Sequence, residues 1–249
     1  MNLDRVIAVR NNKTIYRDGD KCIKVFNASY SKADILNGAL NQAKMEESGL
    51  RIPRLLEVTC IDGKWAIVFE YIKGKTLDRL MREEPEKKGE YMALLADLLI
   101  EVLGKTCPLL NRMKDRLNAR ISQSELPAVV RYDLSYRLEN KPRQDSICHG
   151  DFVPSNIIID ETGAPYILDW SHVTQGNALA DAARTYLLLC LSAGEADAQL
   201  YLELFCEKFG AAREDVQEWI SIIAASQSIQ GNAQERAFLL SQVRTIPGK

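Results

Sequence analysis

An α+β chain is predicted: a small antiparallel sheet carrying one helix in the first third, followed by a larger, mainly helical remainder. Three observations predict it. Between residues 6 and 71, short alternating runs rich in Val, Ile and Phe are broken by polar or glycine-containing turns, with one helical stretch among them. From Leu77 onward apolar residues recur at helical spacing, except in one interval around residues 147–169. Finally, 249 residues with 46% hydrophobic and 27% charged side chains suffice for one large unit or two small lobes sharing a cleft, and argue against disorder.

The elements follow in order. Strands are expected over 6–9, 13–17 and 21–26, separated by Arg10-Asn11-Asn12 and Asp18-Gly19-Asp20, both suited to tight hairpin turns. A helix over 32–48 ends at Gly49, which has no Cβ to oppose a left-handed cap. Strands over 54–60 and 64–71 flank Ile61-Asp62-Gly63, and Asp-Gly is a strong hairpin signal. Beyond Gly74 the character changes: Thr76 is placed to cap a helix from Leu77, and the charged stretch 83–90 breaks it. A boundary is therefore expected near residue 73, giving domains 1–72 and 73–249. The run from Tyr91 is apolar on nearly every face, which predicts a buried helix at the heart of the second domain. Short strands over 157–160 and 166–168 form another hairpin around Thr162-Gly163-Ala164, and three or four helices follow from Ala178.

Composition removes several function classes. Thirty-two Lys+Arg against 34 Asp+Glu leave a formal charge of -2, so no bulk basic field exists to hold a nucleic-acid polymer or an anionic membrane. The six cysteines are scattered without a Cys-x-x-Cys pair, and only His149 and His172 are available, which argues against zinc or disulfide frameworks. The N-terminal residues lack a secretory pattern, and no apolar run approaches the roughly 20 residues of a membrane span, so a cytoplasmic protein is expected. Oligomeric state is not legible.

The chemistry is concentrated in Cys148-His149-Gly150-Asp151-Phe152-Val153-Pro154-Ser155-Asn156 and in Ile167-Leu168-Asp169-Trp170. Asp151 and Asn156 are separated by four residues in one loop, and Asp169 follows the second strand of the hairpin. Phosphoryl transfer needs such a set: a carboxylate to orient a hydroxyl and accept its proton, with oxygen ligands for Mg²⁺ on the phosphates. Taken singly, Asp151 or Asp169 would more often be a turn residue or helix cap. Their joint spacing favours the chemical reading.

These residues resemble the aminoglycoside phosphotransferase and choline kinase-like family, relatives of the protein kinases. His149-Gly150-Asp151 with Asn156, then Leu168-Asp169-Trp170, are similar to that family's catalytic loop and metal-binding segment. The resemblance implies a bilobed protein kinase-like fold, with Asp151 as catalytic base and Asn156 and Asp169 holding Mg²⁺. It extends to Lys24, like the phosphate-binding lysine, to Glu70 and Ile72 in a segment like the adenine-binding hinge, and to Asp181-Ala182-Ala183-Arg184. The activity implied is transfer of the γ-phosphate of ATP or GTP to a hydroxyl of a small molecule, an aminoglycoside or amino alcohol among the candidates. A protein acceptor fits less well, because only eleven residues separate Asp169 from Asp181. Val153 stands where the family often has His, and two further positions depart from it: the first hairpin turn has no glycine, and Gly38 stands where a glutamate partner for Lys24 is expected. They raise the alternative of a nucleotide-binding module without turnover. His149 is expected to be structural. From Ser171 onward acids outnumber bases nine to six, a mildly acidic region that suits an amine-bearing acceptor.

Overall fold

The structure, a computed structural model, describes residue 3, residues 5–10 and residues 12–244. In chain order its strands are β1 (Val6–Val9), β2 (Lys13–Asp18), β3 (Lys21–Phe26), β4 (Leu55–Ile61), β5 (Lys64–Glu70), β6 (Gly74–Thr76), β7 (Ser146–Cys148), β8 (Ile157–Asp160), β9 (Pro165–Ile167) and β10 (Thr174–Gly176). The helices are α1 (Lys32–Glu46), α2 (Leu77–Glu83), α3 (Lys88–Leu103), α4 (Met113–Gln123), α5 (Ala128–Glu139), α6 (Ala178–Ser192), α7 (Glu195–Phe209), α8 (Arg213–Gln227) and α9 (Ala233–Ser241). Two compact units result: one from the described residues up to Glu83 together with Pro154–His172, the other from Glu84–Val153 and the described residues from Val173 onward.

The first unit contains an antiparallel sheet in the order β1-β2-β3-β5-β4, with α1 inserted between β3 and β4 in sequence. The strands, the single helix and the Asp62-Gly63 turn therefore form as the sequence predicts, and that turn has φ of 49° and 75° at its two residues, the conformation for which Asp-Gly is chosen. Of the first turn, Asn11 lies outside the described residues; beside it the Arg10 N–H donates to the Lys13 carbonyl at 2.9 Å. Helix α1 stops at Glu46, two residues before the expected end, because Ser48 turns its hydroxyl onto the Met45 carbonyl at 2.6 Å and its N–H onto the same oxygen at 3.0 Å. Alternation splits the sheet into two faces. Ile23, Val25, Ala66 and Val68 pack on one, while Phe26, Ile67 and Phe69 meet Ile35 and Ala39 of α1 on the other.

Strand β6 was not anticipated. It pairs with β8 to build a second sheet, β6-β8-β9, and this pairing draws the 154–172 hairpin into the first unit although the sequence places it beyond residue 73. The approach is close enough that a Cβ on Gly74 would sit 2.1 Å from the Ile159 carbonyl oxygen, so only glycine fits there. The hairpin's turn is held by Asp160, whose Oδ1 accepts from the Thr162 and Ala164 amides at 2.8 Å each.

In the second unit α3 buries Met92, Leu95, Leu99 and Val102, as its apolar periodicity predicts. Helix α3 packs on α7, and α6 packs on α7 and α8; α4 and α5 lie against α8. Glycine-containing breaks separate the four C-terminal helices, within the three or four expected after Ala178. Antiparallel pairing of β7 with β10 sets Cys148 opposite Thr174 and fixes where the following loop begins. Among the described helices none is long and apolar enough to cross a membrane.

Candidate functional site

In the first unit, strand register aims two lysines at one carboxylate. Residues Lys13, Ile15, Lys24, Ile67 and Phe69 share the α1 face of the sheet, because Ile15 pairs with Lys24 and Lys24 with Ile67. Lys24 is thus turned inward, its side chain only 14% exposed and its ammonium 4.8 Å from the centre of the Phe69 ring. Asp169 leaves β9 in the left-handed region, φ 62°, which a side chain with a Cβ adopts at a cost. Its Oδ2 accepts from Lys13 Nζ at 2.8 Å and lies 3.4 Å from Lys24 Nζ, while its Oδ1 accepts from Ser171 Oγ at 3.0 Å. Burial raises this carboxyl, but the charges of Lys24 and Lys13, with the Lys13 and Ser171 hydrogen bonds, outweigh burial and hold it well below the usual carboxylate range. Burial pulls the Lys24 ammonium below its ordinary value, and Asp169 offsets part of that.

Asn156 ends a 3-10 turn immediately before β8, and its carbonyl accepts from the Leu168 N–H at 2.8 Å, tying the two ends of the hairpin beside Asp169. Glu70 and Ile72 border a cavity of about 550 Å³ that Lys24, Ile158, Leu168 and Asp169 also line. The Glu70 carboxylate faces Arg54, whose Nε is 3.2 Å away. Gly38 lines a neighbouring cavity with Lys13 and Lys24, and a Cβ added there would make ordinary contact with the Ser171 side chain at 3.6 Å. The acid of α1 that reaches this cavity is Asp34, one turn earlier, whereas Glu46 accepts from the Leu55 amide at 2.5 Å on the strand β4 side.

The donor set suits Mg²⁺. A carboxylate and an amide oxygen are hard ligands, and Mg²⁺ normally takes few protein groups, completing its shell with phosphates and water. The two ammonium groups gathered on Asp169 mark a place where cationic charge is already stabilised. Among the described residues no three His, Cys, Asp or Glu side chains cluster as a metal cage, and a site of this kind does not need one.

Asp151 belongs to the second unit, in the loop after β7, where it is partly exposed. The loop is clamped from within: Asp181, 1% exposed, accepts from the His149 N–H at 2.7 Å and the Gly150 N–H at 2.9 Å. Arg184 Nε donates to the Gly150 carbonyl. The Asp151 N–H donates to His149 Nδ1 at 3.1 Å, and the His149 side chain is fully buried. Burial pushes the Asp181 carboxyl up even though His149, the two amides and Arg184 pull it down.

Arg116 and Arg120, four residues apart on one face of α4, add positive charge to the same unit as Arg184. Burial and the neighbouring guanidiniums of Arg120 and Arg184 push Arg116 down to about 9. Arg120 is lowered by burial and by Arg184, and Arg184 by burial against the opposing pull of Asp151 and Asp181.

Sequence reading missed Lys13, which a register drawn through the 18–21 turn would have found by placing it on the Lys24 face. It also missed the arginines of α4, because the charge tally began at Ser171 and their interest depends on the tertiary neighbours. Asp181 and Arg184 were singled out by resemblance without a role; the structure makes them the clamp of the Asp151 loop.

A family model described as a phosphotransferase enzyme family matches residues 9–219. Among solved structures the chain is similar to a thermostable mutant of aminoglycoside phosphotransferase APH(4)-Ia in ternary complex with AMP-PNP and hygromycin B, at TM-score 0.71 and 13% identity over 96% of this chain and 90% of that one. It is similar to an aminoglycoside-3'-phosphotransferase of type VIII at TM-score 0.61 and 17% identity, covering 98% and 93%. A third likeness is to choline kinase LicA from Streptococcus pneumoniae, at TM-score 0.63 and 16% identity, covering 97% and 93%. Likeness at these identities carries the fold, which is the α+β kinase-like fold that the sequence predicts. No curated protein matches the sequence.

Proposed function

The chain belongs to the phosphotransferase enzyme family, and on that premise we propose that it moves the γ-phosphate of ATP or GTP to a hydroxyl of a small molecule. The observation that carries this reading is the Asp169 carboxylate drawn by Lys13 and Lys24 at 2.8 and 3.4 Å, beside a cavity that Glu70 and Ile72 also line. In this reading Glu70 and Ile72 frame the base of the nucleotide. Lys24 and Lys13 exchange Asp169 for the nucleotide phosphates, and Lys13 supplies charge where the first turn has no glycine. Asp169 and Asn156 hold Mg²⁺, which when bound neutralises charge building on the phosphate oxygens. Asp151 orients the acceptor hydroxyl and takes its proton, and the Asp181–Arg184 clamp keeps its loop in position. Residues 1–72 then serve the nucleotide and 73–249 supply the base, the metal ligands and acceptor binding, in a cytoplasm that provides ATP and Mg²⁺. The test is incubation with ATP, Mg²⁺ and a panel of small hydroxyl compounds, an antibiotic set included. A mass gain of one phosphate on an acceptor is expected.

Gly38 favours a second reading, a nucleotide-binding module with little turnover, because no glutamate of α1 stands beside Lys24. Nucleotide binding without transfer to any acceptor would select it.

A further inference from the structure

A cavity of about 290 Å³ opens in the second unit beside the start of α4, near the low end of the range for small-molecule sites. No residue of the Asp151 loop lines it. It borders Gly176, which pairs with Ser146 at the start of β7, whereas the Asp151 loop leaves the other end of that strand after Cys148. Met113, Leu117, Pro142 and Trp219 give the cavity apolar walls. Three side-chain amides on its wall have one end spent and the other open. Gln175, 4% exposed, donates through Nε2 to the Pro108 and Leu110 carbonyls. Asn177, 7% exposed, caps α6 by accepting from the Leu179 amide at Oδ1. Gln144 Oε1 accepts from the Ala178 amide at 3.1 Å. Gln175 Oε1, Asn177 Nδ2 and Gln144 Nε2 are left without a hydrogen-bond partner among the described residues, one acceptor and two donors. A buried amide group left unpaired is costly until something completes it. Charge of both signs is present as well. The Lys114 ammonium donates to the Glu139 and Lys141 carbonyls at 2.9 and 2.8 Å, and neither it nor Asp115 makes an ion pair among the described residues. Arg112 and Arg143, also on the wall, share the Asp145 carboxylate.

We propose that this cavity binds a small apolar α-amino acid. Its carboxylate accepts from Gln144, Asn177 and Lys114, its ammonium donates to Gln175 and faces Asp115, and its side chain lies against the wall of Met113, Leu117 and Trp219. One molecule then answers both hydrogen-bond senses and both charges, which a simple anion or a simple cation does not. The site stands apart from the Asp151 loop, so the inference is independent of the phosphotransferase reading.

Calorimetry on the full chain tests it, with leucine, phenylalanine, 3-phenylpropionate and phenethylamine as probes, the last two lacking the ammonium and the carboxylate of phenylalanine in turn. Saturable binding of leucine or phenylalanine is expected. Phenethylamine should bind about tenfold or more weakly than phenylalanine, the loss of the charge-assisted contacts, and 3-phenylpropionate severalfold more weakly. Gln144→Glu keeps an oxygen for the Ala178 amide but sets a negative charge against the ligand's carboxylate, on a residue that is exposed at the rim. It should weaken amino-acid binding about tenfold or more, while Lys24→Met, in the first unit, leaves that binding unaltered. Absence of binding by both amino acids, affinity for phenethylamine or 3-phenylpropionate equal to that for phenylalanine, or binding that is lost in Lys24→Met and untouched in Gln144→Glu overturns the proposal. Should Gln144→Glu fail to fold by circular dichroism, Lys114→Met is read instead: the same fall in affinity is expected, and unchanged affinity overturns the proposal.

Discussion

Replacing Lys13 by methionine isolates a charge that sequence reading overlooked. Its Nζ is 2.8 Å from Asp169 Oδ2, and Lys24 is 3.4 Å from the same oxygen. At an effective dielectric of about 20 these separations correspond to attractions of about 6 and about 5 kcal/mol before desolvation is counted, so Asp169 keeps a strong partner when Lys13 is removed. The folded protein should therefore lose only about 1–2 kcal/mol: one charge-assisted hydrogen bond, partly offset by relief of the repulsion between the two lysines. Nucleotide binding is the more sensitive readout. With Lys13 on a phosphate, removing it forfeits about 1.5–3 kcal/mol, or roughly 10- to 100-fold in Kd. Calorimetry with ATP, ADP and adenosine separates the causes. ATP and ADP should weaken together while adenosine, which has no phosphate, holds steady. Unchanged ATP affinity would refute the assignment of Lys13 to the phosphates, and an equal fall for adenosine would show that the variant damages the cavity instead.

Four further outcomes are expected. With Asp151 in its proposed role on the acceptor hydroxyl, Asp151→Asn abolishes transfer while ATP affinity stays nearly intact; activity within a few-fold of wild type would remove Asp151 from that role. With Asp169 as the proposed Mg²⁺ ligand, Asp169→Ala loses the Mg²⁺-dependent part of nucleotide affinity; equal Mg²⁺ enhancement in both proteins by calorimetry contradicts this. Because the Asp169 carboxyl is held well below its ordinary value of 3.8, its contribution to stability is complete above that pH and is lost as pH falls through the depressed folded value. The Tm gap between wild type and Asp169→Asn should accordingly be widest near neutrality and close only in strong acid, and a gap independent of pH would contradict the pairing. Gly74→Ala forces a Cβ to within 2.1 Å of the Ile159 carbonyl oxygen, so β6 must move off β8 at a cost of about 1–3 kcal/mol, read as a lower Tm. An unchanged Tm would mean that the 154–172 hairpin is not held by that pairing.

Local rules account for what the sequence determined by itself. The Asp62-Gly63 turn, the alternation that divides Ile23 and Val25 from Lys24 and Phe26, and the breaks between the C-terminal helices each depend on the conformational preferences of a few adjacent residues. The order of His149, Asp151, Asn156 and Asp169 was legible for the same reason, since a short loop and a hairpin carry those residues at fixed spacing. What only tertiary structure decided depends on pairings between residues remote in the chain. Strand β6 is three residues long and has no β signature of its own; it exists because β8 offers it a ladder, and that ladder moves 154–172 into the first unit. The partnership of Lys13 with Asp169 spans 156 positions and needs both the β2–β3 register and the left-handed turn at Asp169. The arginines of α4 read as ordinary solvated charges until helix packing half-buries them in the unit that holds Arg184 and the Asp151 loop. Sequence patterning reports which face of an element a side chain occupies, whereas the energy of a charge is set by which other charges share its low-dielectric surroundings, and those arrive from elsewhere in the chain.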